Sequence, residues 1–218
     1  MNHSSQFRRG LELRRAEIDR LPLDLKAALA AACTQRQMEV YGTYARRTGT
    51  SAAVSFSRLL DAIWDKIRCR QSLGREEHLQ WQNRAERLYP GEEATPDIYQ
   101  GCAQIAVLSL LHSNNILWTE KADDACSAAH EAFSSIFNFL TSPIGPQRQI
   151  DLHQPNALQQ AFAHSLIEAE HHRQQRDLLE VEQALLRPDI TGAVVDELRR
   201  RSTAEAKVFL PIVGGPRG

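Results

Sequence analysis

The residues best suited to chemistry are gathered in the segment AHSLIEAEHH, which carries His164, Glu168, His171 and His172. Imidazole nitrogens and carboxylate oxygens bind transition metals, and residues three or four apart share one face of a helix. His164, Glu168 and His171 could therefore present a ligand set one turn apart. Glu168-x-x-His171 has the form used by di-iron helical bundles, but such a centre needs a second Glu-x-x-His on another helix and two further glutamates. Three positions before His78, His112, His130 and His153 stand Arg75, Ser109, Ser127 and Ile150, so the partner motif is missing. No metal is expected, and a metal-dependent enzyme centred on His164, Glu168 and His171 is the alternative.

Other constellations offer less. Cys126 and His130 fall on one helical face, as a thiolate and its base would, but their alanine and phenylalanine neighbours supply nothing to lower a thiol pKa. The cysteines Cys33, Cys69, Cys102 and Cys126 include no CxxC pair, which suits neither a zinc knuckle nor a disulfide framework. They read as small buried thiols in a reducing compartment. Glu76-Glu77, Glu92-Glu93 and Asp123-Asp124 are sequence neighbours whose side chains diverge on a helix, and no glycine-rich loop opens a helix to cradle phosphate. No catalytic residue and no cofactor are expected. What remains is Glu92, Glu93 and Asp97 in EEATPD, the most loop-like segment. Loops on a rigid scaffold concentrate recognition residues, and carboxylates there could fill a basic cleft on a protein partner.

The elements that must position these residues are helical. Alanine and leucine are abundant while valine and isoleucine are few, a bias away from strands. Apolar periodicity predicts a short helix from Leu11 to Arg20, one from Pro22 to Arg47 and one from Ala52 to Arg68 striped by Phe56, Leu59, Leu60, Ile63, Trp64 and Ile67. Further helices follow over Arg75–Leu88, Pro96–Trp118, Thr119–Leu140 and Pro155–Leu186, and a short one opens at Pro188. The Pro96–Trp118 helix is apolar on most sides and reads as central, and Trp64, Trp81 and Trp118 read as core. The expected architecture is all-α, one helical bundle of about seven or eight helices spanning residues 1–218, with flexible ends at 1–10 and 214–218.

Formal charge is −1, with 26 basic and 27 acidic residues, and the arginine clusters are interleaved with acids. Nucleic-acid readers concentrate a basic excess, so that class is set aside. No run approaches the ~18 apolar residues of a membrane span, and the first residues lack the apolar segment of a secretory signal. A cytoplasmic protein is expected.

The run ending YARRTG, continued as TSAAVSFSRLLDAIWDKI, resembles the bacterial YjaG-like family, an all-helical family of unknown function. The likeness is carried by Thr48, Gly49, Arg58, Leu60, Asp61, Ile63 and Trp64, and AVLSLLHS is similar to that family's central helix. It implies a helical fold and supplies no activity. Physically, Gly49 permits a turn, Leu60 and Trp64 face the core, and Arg58 can pair with Asp61 across one helical turn. The functional expectation is a non-enzymatic binding protein, of the immunity type that neutralises a toxin domain stoichiometrically, with a helical regulator of unknown ligand as a further alternative and a homodimer left open.

Overall fold

Small side chains decide how the bundle is centred. In α1 (Leu23–Arg36), Ala27, Ala28, Ala30, Ala31 and Ala32 leave room on every side, and each residue from Asp24 to Arg36 is buried. The computed structural model describes residues 15–91, 97–142 and 150–210. Within them, residues 15–19 are helical, and α1 is followed by α2 (Met38–Thr48), α3 (Ala52–Arg68), α4 (Arg75–Glu86), α5 (Ile98–Thr119) and α6 (Ala122–Thr141). Then come α7 (Ala157–Phe162), α8 (Ser165–Leu186), a 3-10 turn at Pro188–Ile190 and α9 (Thr191–Ala206), with no strand among the described residues. The fold is all-α, around one contiguous apolar cluster.

α1 packs against α3, α5, α6, α8 and α9, so it is the central element rather than an amphipathic surface helix. α5 is central as well, touching α1, α2, α4 and α6. The α5–α6 pair is close because Ala103, Ala106, Ala125, Ala128 and Ala132 are all buried. Gly101 adds to this approach, since a Cβ there would stand 2.6 Å from the Asn138 side-chain amide.

Two helices expected to be continuous are broken. The Pro22–Arg47 stretch kinks at Gln37, which is wholly buried. Its backbone N–H turns to the Thr34 carbonyl (3.0 Å), while its side-chain amide donates to the Cys33 carbonyl (3.4 Å) that the helix would have used. A side chain has entered the hydrogen-bond ladder, a regular cause of kinks. The Pro155–Leu186 stretch is interrupted at His164, which is extended (ψ 137°) and caps α8 through Nδ1, accepting from the Leu166 N–H at 3.2 Å.

The tail folds back as far as Phe209 and Leu210, both buried. Trp64 and Trp81 lie in the core, but Trp118 is 43% exposed and lies over the His78 ring at 5.8 Å. Cys33 and Cys102 are buried and Cys126 half-buried, whereas Cys69 is exposed, a departure from the buried-thiol reading.

A candidate anion-binding cleft

The residues singled out from sequence are not brought together. Capping occupies His164, and Glu168 and His171 lie exposed further along α8. Among the described residues no group of three His, Cys, Asp or Glu side chains is placed to hold a metal ion. Glu92 and Glu93 lie outside the described residues. Asp97 is the N-cap of α5: Oδ1 accepts from the Gln100 N–H (2.9 Å) and Oδ2 pairs with Arg47 Nε (2.9 Å). That carboxylate is committed to its own chain. The expected Arg58–Asp61 pair does not form either, because Asp61 accepts from Arg199 on α9 at 2.7 Å.

Freed from Asp61, Arg58 faces a surface cleft of about 580 Å³ between α3 and the end of α4. The α3 wall carries Thr50, Ser51, Ala52, Ser55, Arg58, Leu59 and Ala62; the α4 wall carries Trp81, Arg84, Arg87 and Leu88. Sequence spacing explains the first wall, since Ser51, Ser55, Arg58 and Ala62 recur at helical steps on one face. Gly49, at φ +68°, ends α2 in the left-handed conformation and lets the chain reverse into α3. The far wall is fixed from below. Trp81 and Leu88 are buried, and the Tyr41 hydroxyl donates to the Leu88 carbonyl at 2.7 Å. Burial pushes the Tyr41 phenol up to about 12, so it keeps that proton.

Among the described residues the cleft is cationic and without counter-charge. The side chains of Arg58, Arg84 and Arg87 make no hydrogen bond or ion pair with a described residue, and no described carboxylate lines the cleft. Arg84 and Arg87 stand three apart, a like-charge spacing that costs a few tenths of a kcal/mol, about 0.2–0.5. The hydroxyls of Thr50, Ser51 and Ser55 add donors, Ser51 making no side-chain capping bond to α3. The volume is that of an ordinary small-molecule site. Among the described residues that line the cleft there is no imidazole, thiol or carboxylate; they offer donors and positive charge. A second depression of about 260 Å³ is lined mainly by apolar residues such as Leu25, Ile67 and Leu117; at its edge Asp24 and Arg70 pair with each other at 3.2 Å.

A buried ionic cluster, which sequence reasoning missed, ties α1 to α8 and α9. Arg36, wholly buried, bonds Glu170 (3.0 Å) and Asp177 (2.7 Å) of α8 and approaches Glu205 of α9 (3.5 Å). Arg201 adds Asp177 (2.7 Å) and Glu180 (2.6 Å), and Arg176 pairs with Glu205. Burial acts to lower the Arg36 pKa, but Glu170 and Asp177 outweigh it and the guanidinium stays charged. The available signal was the unusual polarity of TQRQ at the end of an alanine-rich helix.

Fold and cleft together define an all-α protein with a cationic surface site and no assembled metal centre among the described residues. The chain belongs to the family described as Protein of unknown function (DUF416), which matches residues 14–208. It is similar to the crystal structure, at 1.91 Å resolution, of a DUF416 family protein from Shewanella baltica OS155. The TM-score is 0.72 at 19% identity, covering 87% of this chain and 92% of that one, a likeness of fold. No curated protein matches the chain. Among the described residues, no helix is long and apolar enough to cross a membrane.

Proposed function

We propose that this chain is a non-enzymatic binding protein, acting in the cytoplasm, that recognises an anionic ligand in the α3–α4 cleft. The observation that carries this reading is the trio Arg58, Arg84 and Arg87, gathered around one cavity without a counter-charge among the described residues. Exposed arginines on a protein surface commonly find a carboxylate on their own chain, as Arg47, Arg68 and Arg200 do here. Three that share a cleft and pair with no described residue are disposed to take charge from outside. The described residues of the lining include no proton-transferring group, which favours binding over catalysis. We further propose that the YjaG-like resemblance marks a closer kinship inside the DUF416 family. A toxin-neutralising protein of the immunity type is the second reading; of the carboxylates offered to such a partner, Asp97 is bound to Arg47 and to the α5 N-terminus, and Glu92 and Glu93 lie outside the described residues.

The test uses the full chain at low ionic strength with sulfate, citrate and inorganic pyrophosphate as probes. Specific binding to the folded state raises the melting temperature, by about 2.7 kcal/mol of added stability at a hundredfold excess over Kd. At least one probe is expected to raise it, with the gain fading as sodium chloride is added. The triple variant Arg58→Gln, Arg84→Gln, Arg87→Gln is expected to lose the effect. A shift that survives in the triple variant, or none with any probe, overturns the reading.

A further inference from the structure

Resting on the reading of this cleft as the ligand site, we propose that its ligand is a small organic phosphate: a phosphate monoester attached to an apolar or flat body. Charge is the first argument. A monoester brings about −1.5 to −2 near neutral pH on a single group with three acceptor oxygens. That suits three planar guanidinium forks better than a singly charged carboxylate does.

Direction is the second argument. Donors approach from two walls, with Ser51, Ser55 and Arg58 on α3 and Arg84 and Arg87 on α4. A carboxylate accepts close to its own plane, whereas the three oxygens of a phosphate radiate and can take donors from both walls at once.

The third argument is the remainder of the cavity. Free phosphate would leave most of the 580 Å³ to water, yet Leu59, Ala62, Trp81 and Leu88 supply apolar lining. An organic body covers that lining and removes it from water. A long nucleic-acid strand is disfavoured by the formal charge of −1 and by the acids that surround the other arginines.

Calorimetric titration of the full chain at low ionic strength separates the possibilities. The probes are phenyl phosphate, inorganic phosphate and benzylmalonate, a dicarboxylate of comparable charge with a similar ring. Phenyl phosphate is expected to bind one per chain and at least tenfold more tightly than either comparison compound. Arg58→Gln or Arg87→Gln should weaken it at least tenfold while circular dichroism stays unchanged. Arg58→Lys, which keeps charge and loses the fork, should recover only part of the loss. Benzylmalonate binding as well as phenyl phosphate would overturn the phosphate assignment and leave the anion cleft standing. Inorganic phosphate binding as tightly as the ester would overturn the organic body. Binding of none of the three, with sulfate, citrate and pyrophosphate also inert, would remove the cleft itself as a ligand site.

Discussion

Replacing Arg36 by methionine puts the central ionic cluster to a quantitative test. Methionine is close in length and fills much of the space, so the change removes charge and donors more than volume. The neighbours left behind differ. Asp177 keeps Arg201 (2.7 Å), and Glu205 keeps Arg176. Glu170, with no exposed side-chain surface, keeps only the Gln174 amide (2.9 Å) and a more distant Arg173 (3.5 Å). Breaking a buried pair by deleting one partner costs about 3–5 kcal/mol, because the survivor is stranded in a low-dielectric site. With one carboxylate badly stranded and two still partnered, the lower end applies, about 3 kcal/mol. For a chain of this size that is a fall in melting temperature of about 6–12 °C. Urea denaturation and calorimetry on Arg36→Met measure it. The second arm adds Glu170→Gln, which keeps the acceptor for Gln174 and removes the stranded charge. The double variant should be more stable than Arg36→Met alone, although Glu170→Gln by itself destabilises the wild type. A cost below about 1 kcal/mol for Arg36→Met, or a double variant no better than the single, would refute the stranded-charge reasoning.

Three further outcomes are expected. Trp64→Ala should cost about 3–5 kcal/mol in chemical denaturation, since the ring is 1% exposed and hydrogen-bonded to Gln35, while Trp118→Ala should cost far less; equal losses would contradict this. Glu120 holds φ +58° at the end of α5 with an exposed side chain, so Glu120→Gly should stabilise the protein by about 0.5–1 kcal/mol, and a loss would mean the side chain does something more. Burial lowers the His78 pKa from its usual value, so the folded state favours the neutral ring. That contribution is present above the unfolded-state pKa of about 6.5 and is lost as pH falls through the folded value, so wild type should lose more stability than His78→Gln between about pH 7.5 and 5; parallel pH profiles would refute it.

The helical class and most boundaries were legible because apolar spacing, glycine and proline act locally. Gly49 ends α2 and Phe56, Leu60, Ile63 and Trp64 face inward as their periodicity demands. The inward face of α8 is one that spacing cannot reveal. Leu179 is 52% exposed, and the inward row runs through Glu170, Gln174, Asp177 and Leu178 before Val181 and Ala184. The face was chosen by Arg36, 134 and 141 residues away from its two α8 partners, and no local pattern encodes so distant a counter-charge. The kink at Gln37 was hidden similarly, because a side chain and not a glycine or proline makes it. The cleft escaped notice because its arginines come from two helices and gain meaning only when Asp61 proves to belong to Arg199.

The central place of α1 bears on how the protein is born. α1 leaves the ribosome well before the helices that complete its surroundings: Glu205, which closes the cluster around Arg36, follows 169 residues later. At ~5–20 residues per second, that interval lasts about 8–34 s. For most of it, this alanine-rich helix and its lone guanidinium lack the α8 and α9 walls that cover them in the finished fold. The nascent chain thus carries its centre covered only by α3, α5 and α6 until those walls arrive. That span makes truncation inside α9 more damaging than loss of a surface helix of equal length.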